Sequence, residues 1–163
     1  MNAETVFLGL GSNLGNREEN LRKALELISD RLKIEKTSSI YETEPVSAIA
    51  QPRYLNMVVK MHTSLSPLGL LITLKSIENK LGRLPDLRQD APRIVDIDIL
   101  IFGDKIVNND PQLVVPHPRF HERAFVLVPF AEIASDVVHP LLHKTIKELC
   151  DAVPGKEGVT KKV

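Results

Sequence analysis

Tryptophan is absent from the chain, and cysteine occurs once, at Cys150. A single cysteine closes no disulfide within the chain, so the fold must rest on burial alone, and a reducing, cytoplasmic setting is expected. With 163 residues, burial suffices. A chain of this size hides roughly two-thirds of the surface it exposes when unfolded, enough for one domain. Charge of one sign is also lacking, because 21 Lys and Arg balance 21 Asp and Glu. With no overall basic field, neither nucleic acid nor an anionic membrane is an expected partner, and any anion site must be local. No apolar run approaches the roughly 20 residues of a membrane span. The start, Met1 to Val6, has neither the cationic beginning nor the apolar core of a secretory leader. There is no internal repeat. The expectation is a single domain over 1–163, monomeric, with 155–163 as a disordered tail.

The most informative stretch runs from Arg93 to Phe102. Strand alternation puts Val95, Ile97, Ile99 and Ile101 on one apolar face and Asp96 and Asp98 side by side on the other, continued by Leu100 and Phe102. Adjacent carboxylates with no Cys or His in the run suit a hard, oxygen-seeking cation such as Mg2+. Arg83, Arg88 and Arg93 upstream suit the polyanion such a cation carries. The same alternation also describes an ordinary half-exposed strand, and spacing alone leaves both readings open.

Elsewhere the elements follow in order. Thr5 to Gly11 reads as a buried strand, and Gly11 to Asn16 as a tight turn. That turn lacks the Lys-Ser/Thr of a P-loop and is not G-x-G-x-x-G, which favours a structural role. Asn16 and Glu19 have capping-box spacing ahead of a helix over 17–31. Ile34 to Tyr41 reads as a strand, and 41–52 as a proline-containing loop. Tyr54 to His62 is a third strand, with Leu55, Met57, Val59 and Met61 inward and Tyr54, Asn56 and Val58 opposite. Ser66-Pro67 opens a second amphipathic helix that ends near Gly82, with Glu78 reading as a solvated surface acid. Residues 83–93 form a basic, proline-containing loop able to close over a ligand. After the Asp-x-Asp strand, Gly103-Asp104 suggests a hairpin into Lys105 to Val107. A Pro116-His-Pro-Arg119 loop leads to a helix from about Phe120, broken or kinked at Pro129, and a short last helix spans 145–153.

The order β-α-β-β-α-β predicts an α+β, ferredoxin-like (split β-α-β) fold, a mainly antiparallel sheet covered by helices on both faces in three layers. In that topology Tyr54 and Asn56 come near Asp96 and Asp98.

In order and spacing, Gly11-Ser-Asn-Leu14, Tyr41-Glu-Thr-Glu-Pro45, Tyr54-Leu-Asn56, Gly82-Arg83, Ala91-Pro-Arg93, Asp96-x-Asp98, Pro116-His117 and Arg123-x-Phe125 resemble the 6-hydroxymethyl-7,8-dihydropterin pyrophosphokinase family. The resemblance covers nearly the whole chain. It implies pyrophosphoryl transfer from ATP to a pterin alcohol in folate biosynthesis, with two Mg2+ ions held by Asp96 and Asp98. It further implies that Arg83 and Arg93 stabilise charge on the transferring group and that Asp96 also approaches the pterin hydroxyl. Glu78, Arg88, Arg93, His117 and Arg123 fall at nucleotide-contact positions. Tyr54 and Phe125 would stack on the pterin, whose edge Asn56 and the backbone of Thr43 and Val46 would read. The chain departs from the family pattern at Glu44, Pro85 and Gln89-Asp90-Ala91, which makes the 83–93 loop less basic and removes its aromatic. A ferredoxin-like binding module without chemistry and an Asp-x-Asp two-metal nucleotidyl transferase are the competing readings.

Overall fold

In a computed structural model of the chain, residues 3–43, 53–82 and 94–162 are described. The strands are β1 (Glu4–Ser12), β2 (Lys33–Thr37), β3 (Tyr41–Thr43), β4 (Tyr54–Thr63), β5 (Asp96–Phe102), β6 (Val107–Asp110), β7 (Leu113–Val115) and β8 (Val159–Lys161). The helices are α1 (Arg17–Arg31), α2 (Pro67–Lys80), α3 (Ala124–Ala134) and α4 (Ile146–Ala152). The main sheet runs β5-β1-β4-β3-β8, with β2 pairing beside β3 on the same edge of β4. All its pairings are antiparallel. β1 therefore lies between β4 and β5, the ferredoxin-like arrangement expected from the order of elements. Among the described residues no helix is long and apolar enough to cross a membrane.

Two cores flank this sheet. On one face Leu8, Leu10, Leu55, Met57, Val59, Ile97 and Ile99 pack against the inner stripes of α1 and α2, including Leu21, Ile28, Leu70 and Leu74. On the other, Phe7, Val58, Leu100 and Ile101 meet Leu127 and Phe130 of α3 and Ile146 of α4. Period-2 strands sort their side chains between these faces, and period-3.6 helices cover each. Local caps agree with the sequence. Asn16 Oδ1 accepts the Glu19 N–H at 3.1 Å, and Ser66 Oγ accepts the Gly69 N–H at 3.0 Å ahead of Pro67. Gly82 holds the left-handed turn after α2, with φ 88°. At α4, Thr145 and Glu148 complete a full capping box.

Several expectations are corrected. Ile101 does not share the face of Ile97 and Ile99, and Phe102 does not share the face of the aspartates. Leu8 pairs with Ile99 and Phe7 with Ile101, leaving Leu100 as an extra, bulged residue. A bulge reverses the alternation beyond it, so Ile101 joins the second core and Phe102 the first. The strand expected over 34–41 is two strands, interrupted where Ser38 bonds Val58 through its own N–H and its hydroxyl. The turn at Gly103-Asp104 forms, with Lys105 N–H donating to Phe102 O at 3.0 Å. It does not make a hairpin with β5, because β6 pairs instead with β7, whose Leu113 and Val115 are drawn into the first core. Pro129 lies inside α3 without ending it, since Phe130 packs at a tilt against Phe7 and Phe120 and holds the helix beyond the missing N–H. The tail is not frayed: β8 pairs with the open edge of β3, satisfying backbone groups that an edge strand leaves unpaired.

Phe130 is fully buried, with ring centroids 4.8 Å from Phe7 and 5.6 Å from Phe120. Phe130→Ala is expected to cost about 3–5 kcal/mol of unfolding free energy, measured by denaturant titration.

Candidate active site: a glycine-floored cleft

The cleft occupies the α3 side of the sheet and has a volume of about 740 Å³. Its floor follows from strand register. Asn56 of β4 pairs with Gly11 of β1, and Gly11 pairs with Asp96 of β5. One rung along, Val58 pairs with Gly9 and Gly9 with Asp98. Paired residues share a face, so each rung carries side chains on its outer strands and none in the middle. Asn56 and Asp96 thus stand two strand spacings apart, about 10 Å, across bare backbone. Gly11 has no room for more, since a Cβ there would lie 2.9 Å from Asn56 Oδ1.

On the neighbouring edge Thr43 pairs with Tyr54, and Thr43 Oγ1 accepts Asn56 Nδ2–H at 3.3 Å, fixing the amide. The opposite wall comes from the Pro-His-Pro-Arg loop and the start of α3. The carbonyl of bulged Leu100 accepts His117 N–H at 2.9 Å, which ties that loop to the acidic strand. His117 Nδ1 accepts Arg119 N–H at 3.1 Å, so the ring proton sits on Nε2 as a donor. Burial, helped by the charges of Arg123, Arg119 and His121, lowers the imidazole to a pKa of about 4. Arg123 lies over the ring of Phe125, 5.7 Å from its centroid, and both line the cleft.

Two acids brace the site, Glu78 of α2 from behind the floor and Glu132 of α3 from the cleft's own side of the sheet. Glu78 is not a solvated surface acid: it is 1% exposed, and its Oε2 accepts Ile97 N–H at 2.7 Å. Ile97 separates Asp96 from Asp98, so Glu78 fixes the backbone that sets the spacing of the pair. Glu132 of α3 accepts from Ser39 N–H, Ser39 Oγ and Tyr41 OH, the last at 2.7 Å, holding β3 and with it Thr43. Burial and this carboxylate push the Tyr41 phenol up to about 12. Burial opposes the charge on Glu132, yet the bonds from Tyr41 and Ser39 hold its carboxyl below the usual range.

Residues 7–135 match the family of 7,8-dihydro-6-hydroxymethylpterin-pyrophosphokinase (HPPK). The chain belongs to this family. It is 44% identical over 156 residues to the 2-amino-4-hydroxy-6-hydroxymethyldihydropteridine pyrophosphokinase of Bacillus subtilis, covering 94% of this chain and 87% of that protein. It is 45% identical over 139 residues to the folic acid synthesis protein fol1 of Pneumocystis carinii, covering 85% of this chain but only 18% of fol1. The fold is shared with the HPPK-DHPS protein of Plasmodium falciparum at TM-score 0.74 and 18% identity, over 92% of this chain and 45% of that one. This chain therefore spans less than half of such longer proteins.

Among the residues that the HPPK resemblance marks, Asp96, Asp98, Thr43, Tyr54, Asn56, Phe125, His117 and Arg123 all line the one cleft. Arg83, Arg88, Arg93 and Val46 lie outside the described residues. Sequence reading treats Gly9 and Gly11 only as punctuation in a strand, although the apolar/glycine alternation Leu8-Gly9-Leu10-Gly11 already marks a face stripped of side chains. Glu132 carries no sequence signal, because its partners are 91 and 93 residues away.

The donor set fits Mg2+. Asp96 and Asp98 offer hard oxygens beside an open floor, and among the described residues no group of three or more His, Cys, Asp or Glu forms a closed cage. An ion held by two carboxylates keeps positions for phosphate oxygens and water, as Mg2+ requires.

Imidazole NMR titration should find His117 neutral down to about pH 4. In the unfolded chain the same imidazole protonates near pH 6.5. Between these values the unfolded chain binds a proton that the folded one does not, so stability should fall as pH drops through that window. His117→Gln should flatten that slope in urea titrations.

Proposed function

We propose that this cleft holds the pterin ring across Gly11, between Asn56 and the aspartates, with the ATP polyphosphate on the Asp96–Asp98 side. The family reaction, ATP-dependent pyrophosphoryl transfer to 6-hydroxymethyl-7,8-dihydropterin in folate biosynthesis, is the chain's function. In it the hydroxymethyl oxygen bonds to the β-phosphorus of ATP, the bond from that phosphorus to the α-phosphate oxygen breaks, the hydroxyl loses its proton and AMP leaves. The observation that carries the assignment of roles is the rung Asn56–Gly11–Asp96. It sets a heterocycle-reading amide and a metal-binding carboxylate at opposite ends of a floor only backbone occupies.

Each residue then has a chemical task. Tyr54 and Phe125 supply aromatic surface to a flat ring, and Asn56, oriented by Thr43, reads its polar edge. Asp96 and Asp98 hold Mg2+, with two ions the number we assign. Bound there, Mg2+ neutralises phosphate charge and orients the triphosphate, the main requirement of phosphoryl-type transfer. His117 offers a neutral Nε2–H to a phosphate oxygen, and Arg123 adds a cation on the same wall. By the resemblance, Arg83 and Arg93 are assigned to charge on the transferring group, Arg88 to the nucleotide and the backbone of Val46 to the pterin. The competing readings are not favoured. A binding module without chemistry needs no acidic pair, and a nucleotidyl transferase releases pyrophosphate instead of AMP.

AMP formation from ATP and Mg2+ should depend on the pterin alcohol. Asp96→Asn and Asp98→Asn should each lower kcat on the order of 10²–10³-fold while far-UV circular dichroism is unchanged. Activity retained in both would remove the metal assignment. Gly11→Ala, whose Cβ meets Asn56 Oδ1, should raise KM for the pterin alcohol about tenfold, the effect of losing about 1.4 kcal/mol of binding, with little change in KM for ATP.

A further inference from the structure

Glu78 of α2 braces the acidic half of the floor, and the other half has a brace of its own. Thr43, Tyr54 and Asn56 stand on β3 and β4 and line the cleft on the α3 side of the sheet. Alternation turns their neighbours the other way. Glu42 pairs with Leu55, whose side chain lies in the core beneath α1 and α2. Glu42 therefore faces α1, and the first residue of that helix reaches it. Arg17 Nη1 donates to Glu42 Oε2 at 2.9 Å and to the carbonyl of Arg53 at 2.7 Å. One guanidinium nitrogen thus ties the residue before Thr43 to the residue before Tyr54, behind the rung that Thr43 and Tyr54 make.

The same helical turn holds two further strand ends. Asn20 Nδ2 donates to Ser12 Oγ at 3.2 Å and to Leu14 O at 2.7 Å, fixing the chain just past Gly11. Beyond β8, whose Val159 lines the cleft, Lys162 Nζ lies 3.4 Å from Glu18 Oε1. Arg17 and Glu42 are 22% and 28% exposed, against 54% and 61% for Arg22 and Glu26 on the outer face of α1. Exposed pairs such as Arg22–Glu26 contribute little and hold no strand. A charge-assisted bond to a main-chain carbonyl, sheltered from water, fixes the backbone itself.

We propose that Arg17, which lies outside the cleft, is a positioning residue for the pterin alcohol. By fixing residues 42 and 53 relative to each other it sets Thr43 and Tyr54, and through the bond between Thr43 and Asn56 it sets the amide. The inference rests on the pterin reading above. It gives the two substrates separate supports, Arg17 behind the pterin side and Glu78 behind the phosphate side, so loss of Arg17 acts on one of the two KM values.

Initial rates of AMP release by the full chain, with each substrate varied in turn, test this. Arg17→Met should raise KM for the pterin alcohol about tenfold, with kcat and KM for ATP changed by less than about twofold. Arg17→Lys, whose ammonium can donate to the same two oxygens, should recover most of the loss. Glu42→Gln, which leaves the bond to Arg53, should give a smaller rise, and adding it to Arg17→Met should add nothing further. Arg22→Met removes two ion pairs from the same helix and should move neither KM. A residue that merely stabilises α1 would act on both substrates alike or, as at Arg22, on neither. A pterin KM unmoved in Arg17→Met and Glu42→Gln, or raised together with that of ATP, overturns the inference and leaves the functional reading intact. If the wild type releases no pterin-dependent AMP, the functional reading fails and the inference falls with it.

Discussion

The pairing of β1 with β4 on one side and β5 on the other is the constraint on which the site depends. Each rung joins residues far apart in sequence, Gly11 to Asn56 and Gly11 to Asp96, and each is held by ladder hydrogen bonds and by the cores on both faces. A slip of one residue in either pairing would turn Asn56 or the aspartates into the α1–α2 core and replace them with Leu55 or Ile97. The same apolar residues that stabilise the sheet therefore set the distance between the amide and the carboxylates. Stability and site geometry share one cause.

Around this floor the supports act at a distance. Glu78 grips the peptide between the two aspartates from the α2 side, and Glu132 grips β3 from the α3 side. The bulge at Leu100 does two things at once. It redirects Ile101 and Phe102 between the cores, and its carbonyl anchors the His117 loop over the cleft. The neutral state of His117 follows from that anchoring, because the backbone N–H of Arg119 occupies Nδ1 while burial and nearby cations oppose a second proton. An uncharged donor therefore sits on the wall with Arg123, which carries the positive charge.

Much of this was legible in the chain. Helical periodicity and capping residues gave α1 and α2 their ends, and period-2 alternation sorted β4 between its faces and put Asp96 beside Asp98. These are local properties, decided within a few residues by backbone geometry and side-chain shape. Where sequence reading failed, the deciding partner was distant or the competing element equally local. Ile101 and Phe102 changed faces because β1, almost a hundred residues earlier, pairs with a bulge. The stretch after Gly103 looked ready to fold back on β5, but Leu113 and Val115 found the core first. Pro129 suggested a break that aromatic packing on both sides overrides.

The sequence by itself determined the order of elements, the neighbouring carboxylates, the aromatic and amide on one face of β4, and, through motif order, the family. Only the tertiary structure decided that Gly9 and Gly11 are the floor between them, that Glu78 is a buried brace, and that the terminal residues form a strand on the cleft's edge. The physical reason is the same in each case. A side chain's direction is set by its own backbone, but what stands opposite is set by register, and register is fixed only when the strands of the whole sheet are paired and their faces buried.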